Sequence, residues 1–153
     1  MSKKSNDNGK AAELKVQNMA KSYLGTLAYV MPHREWFDPD EKSGVHKLDI
    51  TLRDLNRKYY IAISVRSQKD SGTTDEKLEP ERTRLDRLGK NNTLFKKLFL
   101  VIVGKGAREH SVNKSKKRDS QKIKTLYFEE LEDLFKNGTI GKILRLQTVA
   151  TTI

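Results

Sequence analysis

The sequence predicts an α/β fold: a single domain in which a central mixed β-sheet is flanked by helices. Three observations predict it. Helical and strand periodicities alternate along the chain in the order helix, strand, hairpin, helix, strand. Two runs, KYYIAISVR at 58–66 and LFLVIV at 98–103, are nearly continuous in apolar residues, as strands covered on both faces are. A length of 153 residues gives room for one ordinary domain with a real core and not for two.

Residues 1–8 are polar and charged and read as a flexible tail ahead of a domain at 9–153. From Gly9, the run AAELKVQNMAKSYLG places Leu14, Val16, Met19, Ala20, Tyr23 and Leu24 at the spacing of one helix face. That helix is capped from residues 6–8 and closed by Gly25. Residues 26–31, TLAYVM, are rich in β-formers and end at Pro32, giving a first strand; continuation of the helix to Met31 stands as the alternative. Residues 33–44 carry the Pro, Gly and Asp content of a loop. Residues 46–53 alternate as a half-buried strand does, and 54–57 form a turn into the strand 58–66. After a turn at 69–73, the segment 73–92 reads as helical, with Thr73 or Thr74 as N-cap and Asp75 and Glu76 in its first turn. Pro80 lacks an N–H and should interrupt this helix, so that a second start falls there. A strand at 98–103 closed by Gly104, a long basic loop at 105–122, a strand at 123–128 and helices at 129–135 and 140–146 complete the chain.

The net charge is +11 and the isoelectric point about 9.8. An excess of this size favours a polyanionic partner, because lysine and arginine release counterions from phosphates. Between 105 and 124 lie Lys105, Arg108, Lys114, Lys116, Lys117, Arg118, Lys122 and Lys124 against only Glu109 and Asp119, a net +6. With serines and Asn113 interleaved and no aromatic platform, this segment fits an arm that tracks phosphates, or a loop that only solubilises the chain. Trp36 and Phe37 are better placed in core or interface than under a base. The absence of cysteine excludes disulfides and thiolate zinc sites. His33, His46 and His110 show no metal-ligand spacing. No apolar run reaches transmembrane length and the N-terminus lacks a signal-peptide stretch, so the expectation is a soluble, cytoplasmic protein with no membrane partner.

Chemistry concentrates between Val45 and Lys77. Asp49 is flanked by apolar residues near the start of a strand. A carboxylate there either points to solvent from the polar face or is paired or bound to a cation, since burying it alone is costly. Arg66 and Gln68 lie two apart at the exit of the next strand and share a face that can meet Asp49 across the hairpin. An acidic ligand for a divalent metal, a cation beside the scissile phosphate and a polar group that orients water are what phosphodiester hydrolysis requires.

Taken together, Asp49, the run Ser64-Val65-Arg66-Ser67-Gln68 and the run Ser71-Gly72-Thr73-Thr74-Asp75-Glu76-Lys77 resemble the PD-(D/E)XK, restriction-endonuclease-like, nuclease superfamily. The likeness is to the subgroup whose catalytic strand ends in Lys-x-Gln before a Ser-Gly-Thr-rich loop and an acidic helix start. The resemblance implies an αβββαβ core and metal-dependent hydrolysis of DNA with Mg²⁺ or Mn²⁺ as cofactor. It further implies a homodimer that cuts both strands, with Asp49 as the first motif acid and Glu13 as the first-helix glutamate. Catalytic candidates are Asp49, Glu13, Ser64, Arg66 and Gln68. Metal candidates are Asp49, Glu13 and Glu76, and nucleic-acid candidates are Ser71, Thr73, Lys77, Lys105, Arg108, Lys114, Lys116, Lys117 and Arg118.

Two positions depart from the family pattern. Ser64 stands where an acid is expected and Arg66 where a lysine is. A relocated carboxylate must then complete the metal site, with Glu13, Glu76 and Asp40 the candidates. Arginine can clamp a phosphate but does not shuttle protons, so a catalytically silent binding protein on the same scaffold is the alternative. Pro39-Asp40 matches the family signature literally but sits in the expected loop, and Asp49, in strand context, is preferred. A basic protein that binds RNA, unrelated to nucleases, is the third reading.

Overall fold

The computed structural model describes residues 3–67, 75–104 and 109–146. Among these residues, five helices and seven strands run in the order α1 (Lys3–Leu24), β1 (Ala28–Pro32), β2 (Glu35–Phe37), β3 (Val45–Lys47), β4 (Ile50–Asp54), β5 (Tyr60–Ser67), α2 (Asp75–Asn91), β6 (Phe95–Val103), α3 (Glu109–Lys116), β7 (Ile123–Tyr127), α4 (Phe128–Lys136) and α5 (Thr139–Ile143). The main sheet has the order β1-β4-β5-β6-β7, antiparallel from β1 to β5 and parallel from β5 to β7. It is mixed and covered by helices, as the sequence predicts. With the small β2-β3 ribbon set aside, the leading order is α, β, β, β, α, β.

Alternation along the central strands divides the core into two layers. Ile61, Ile63 and Val65 of β5 and Phe99, Val101 and Val103 of β6 pack with α1, α4 and α5, through residues such as Val16, Leu131 and Ile140. Tyr60 and Ala62, with Leu98, Leu100 and Ile102, pack with α2 and α3 through Leu78, Leu85, Leu88 and Val112. Ser64 and Arg66 continue that second face of β5 and so point to the α2 side.

Five expectations are corrected. Helix α1 begins at Lys3, inside the stretch expected to be a tail, and its buried stripe is Ala12, Val16, Met19, Ala20 and Leu24. Leu14 is 54% exposed, and Tyr23, at the stripe's edge, stacks on Phe135 at 5.7 Å. It ends as expected at Gly25, whose φ of +54° suits glycine and whose N–H closes on the Lys21 carbonyl at 2.9 Å. The expected strand 46–53 is two strands. Leu48 drops into the α2-side core, its N–H bonds the Arg34 carbonyl at 3.0 Å, and the Asp49 carbonyl takes the His33 N–H at 3.0 Å. The chain therefore bends at Asp49, leaving β3 paired to β2 inside the segment expected to be a loop. Trp36 of β2 packs edge-on against Phe95 at 4.8 Å, which accounts for that ribbon. Pro80 does not divide α2, which runs unbroken from Asp75 to Asn91. Burial of Leu78, Leu85 and Leu88 along one stripe holds the helix across the missing hydrogen bond. The expected basic loop contains α3, anchored by the fully buried Val112 and by Ser115. The last helix spans Thr139–Ile143 instead of 140–146.

Among the described residues no helix is long and apolar enough to cross a membrane.

Candidate active site

The bend before β4 places the Asp49 carboxylate over the exit of β5. Its Oδ2 accepts the Val65 N–H at 2.7 Å, lies 3.5 Å from the Ser64 hydroxyl and 3.7 Å from Nη1 of Arg66. Of the two readings the sequence leaves open for Asp49, the paired one holds. Arg66 Nη1 also donates to the Val65 carbonyl at 2.9 Å, which holds the guanidinium along its own strand.

Glu13 reaches the same place from α1. Its carboxyl hydrogen-bonds to Asp49, and its pKa is raised from 4.5 to about 7. Burial is the main cause, followed by the hydrogen bond to Asp49 and by repulsion from that charge; Arg66 and Lys47 oppose the rise. Glu13 Oε2 also lies 3.4 Å from His33 Nε2. Glu13 thus keeps its proton more tightly than a free glutamate because it is buried beside a second carboxyl group.

Among the described residues, the carboxylate that accepts the Ser64 hydroxyl at short range is one the sequence did not single out. It is Glu81, 3% exposed on α2. Ser64 donates its hydroxyl to Glu81 Oε1 at 2.7 Å, Arg66 Nη2 meets Oε2 at 2.5 Å and Arg84 Nη1 meets it at 3.3 Å. His46 Nε2, on a ring that is 1% exposed, is 3.6 Å from Oε1. Burial alone would raise the Glu81 pKa, but His46, Arg66, Ser64 and Arg84 together outweigh it and hold the carboxyl at about 2. Glu81 is therefore ionised through the neutral range. The signal for it lay in the sequence: on the stripe Leu78, Leu85, Leu88, the helical period also places Glu81 and Arg82 inside, and buried charges at core positions are unusual enough to mark a site.

The structure thus brings together Glu13, Asp49, Ser64 and Arg66 from the predicted set and adds Glu81. Asp40 is not with them: its side chain is 62% exposed and 3.5 Å from Arg87. Gln68, Ser71, Thr73, Lys105 and Arg108 lie outside the described residues, as do the side chains of Glu76 and Lys77 in the first turn of α2.

The basic segment is less free than its composition implies. Lys114 is 3.7 Å from Glu79, Lys116 is 2.8 Å from Glu130, and Arg118 lies 3.3 Å from Glu79 and 2.6 Å from Asp86. Only Lys117 of the predicted contacts described here is exposed without an ion pair among the described residues. Folding of α3 against α2 turns an expected arm into a surface whose charges are largely matched.

As a donor set for a divalent cation, the site offers hard oxygen atoms, which suit Mg²⁺ or Mn²⁺. No group of three acidic or histidine side chains converges as a metal cluster among the described residues. Glu13 and Asp49, two adjacent carboxyl groups that each raise the cost of charging the site, fit a cation held between hard oxygen donors.

No family model matches the sequence, and no curated protein matches it.

Proposed function

We propose that the chain is a metal-dependent endonuclease that hydrolyses phosphodiester bonds in DNA, of the PD-(D/E)XK type its central motif resembles. One observation carries this reading: Glu13, Asp49, Ser64 and Glu81, from one helix, one bend, one strand and a second helix, gather around the single guanidinium of Arg66. Residues so distant in sequence and so costly to bring together out of water favour a chemical role over a purely structural one.

Asp49 and Glu13 would hold Mg²⁺ or Mn²⁺. A cation there supplies Lewis-acid polarisation of a phosphoryl oxygen and a lowered pKa for water. The chain's own groups do the rest. The Val65 N–H fixes one oxygen of Asp49. Glu81, ionised and buried, orients Arg66 and takes the Ser64 hydroxyl hydrogen. Arg66 brings a permanent positive charge to the phosphate, where charge accumulates during displacement, and takes no part in proton transfer. Gln68, two residues beyond it, is the group assigned to orienting water. Cutting both strands requires two such sites, so the working form is a homodimer.

A second reading has its own observation. Arg66 is tied to Glu81 at 2.5 Å and lies 3.7 Å from Asp49, which favours a catalytically silent nucleic-acid-binding protein on the same scaffold. Incubating the chain with labelled duplex DNA, branched DNA and structured RNA in Mg²⁺, Mn²⁺ and EDTA separates them. Metal-dependent cleavage of DNA supports the enzyme. Binding without cleavage in either metal overturns it in favour of the silent protein, and preference for structured RNA overturns both.

A further inference from the structure

Charge is distributed unevenly between the two ends of the sheet. Near the exit of β5, arginines meet carboxylates: Arg66 with Glu81 and Asp49, and Arg84 with Glu81. At the other end, where β6 and β7 begin, cations gather while the nearby carboxylates are taken up elsewhere, Asp54 by the Lys58 and Tyr59 N–H groups and Asp119 by Arg82 and the Thr125 N–H. Leu98 pairs with Ile123 and Phe99 with Lys124, so Lys97, Lys122 and Lys124 flank the first rungs of one parallel ladder. Lys122 Nζ is held by the Gly89 carbonyl at 2.7 Å, and Lys97 Nζ by the Gln121 carbonyl. Lys96 and Arg145 stand over the same Tyr59 ring, at 5.7 Å and 5.0 Å. None of the five makes an ion pair among the described residues.

Their closeness has an electrostatic mark. Burial, and then repulsion by Lys124, lowers the pKa of Lys97; burial, and then Lys96, lowers that of Lys122. Two ammonium groups fixed on carbonyls and two cations resting on one ring form a rigid positive surface that repels itself, and a polyanion relieves that repulsion by displacing counterions. Tyr59 already carries two cations over its ring, and the remaining groups are ammonium ions, so contacts are to the backbone and not to sequence.

We infer that Lys96, Lys97, Lys122, Lys124 and Arg145 form a second nucleic-acid contact, to the phosphate backbone, at the end of the sheet opposite the candidate active site. Arg66 pairs with Ile102, five residues along β6 from Lys97, which separates the two surfaces by roughly 17 Å at the rise of a strand. The identity of the polyanion as nucleic acid rests on the proposed function; the existence of the cationic surface does not.

The test is fluorescence anisotropy of a labelled duplex against salt concentration, in EDTA, with the full chain. Two patch variants are compared, K97E/K124E and K96E/R145E, the second altering only exposed side chains. K21E/K42E, two exposed lysines elsewhere, matches the change in net charge. Each patch variant should lose about tenfold or more in affinity, and its log K against log salt slope should fall by roughly two, one per lost phosphate contact. Cleavage at saturating protein should stay near wild type. Patch variants that bind as wild type, a control that loses as much as they do, or a patch that holds phosphatidylserine vesicles in place of duplex overturns the inference. In the first of these outcomes cleavage by the wild type still stands, whereas a wild-type chain that neither binds nor cuts DNA overturns the proposed function as well.

Discussion

At the residue scale, the decisive feature is a pair of carboxyl groups with too little positive charge between them. Glu13 holds a proton against Asp49 up to about pH 7, while an unfolded glutamate releases it near 4.5. Its folded pKa is raised, so between those values the native state binds more protons than the unfolded one and stability falls as pH rises. In EDTA, wild type should lose about 1–3 kcal/mol from this group across that window, and Glu13→Gln should be flat there and more stable than wild type at pH 8. Urea titrations across the window check this, and equal slopes for the two proteins would contradict it. Glu81 works in the opposite sense. Its folded pKa of about 2 is depressed, so its contribution is complete above 4.5 and is lost as pH falls toward 2. Glu81→Ala leaves Arg66, Arg84 and Ser64 short of a partner and should destabilise by about 3–5 kcal/mol, read as a lowered urea midpoint with unchanged slope. Asp49, Ser64 and Arg66 were legible in the sequence because a short motif on adjoining strands places them, and Glu13 because the resemblance implies a glutamate in the first helix. Glu81 was not, because the reading that broke the helix at Pro80 removed the period that would have turned residue 81 inward.

At the scale of elements, α2 is the part that holds the molecule's second layer in place. Arg82, 1% exposed, donates to Asp86 at 3.0 Å, to the Ser115 carbonyl at 3.1 Å and to Asp119 at 2.6 Å, and also to the Arg118 carbonyl. One guanidinium thus joins α2, the C-terminal half of α3 and the turn before β7. Asp119 in turn accepts the Thr125 N–H at 2.9 Å. Replacing Arg82 with Ala leaves the Ser115 and Arg118 carbonyls without this donor and removes the charge that Asp119 faces, and it should cost about 3–5 kcal/mol, with hydrogen exchange rising first in α3 and β7. Unchanged protection there would show that α3 is held by Val112 packing alone. This same connection explains why residues 105–122 were misread. Their composition is that of a loop, and the partners that fold them lie more than thirty positions earlier on a helix. Strands β5 and β6, by contrast, were legible because burial on both faces demands apolar residues at nearly every position, and no distant partner changes that.

At the scale of the whole molecule, the sheet carries two chemically different ends. One gathers three carboxylates around an arginine, and the other gathers five cations that make no ion pair among the described residues. The bend at Asp49 could not be read from alternation alone, since it depends on Leu48 and Trp36 finding the α2-side core. Yet that bend lifts the Asp49 carboxylate to the Val65 N–H and to Glu13, and the proposed activity depends on that position. The most direct test is conversion of supercoiled plasmid to nicked and linear forms in Mg²⁺ or Mn²⁺ by wild type and by Asp49→Ala, both checked for native folding by circular dichroism. The account predicts cutting by wild type that stops in EDTA and falls by at least about a hundredfold in the variant. Cutting that survives the loss of Asp49, or a folded wild type that binds DNA and leaves it intact in both metals, would contradict it.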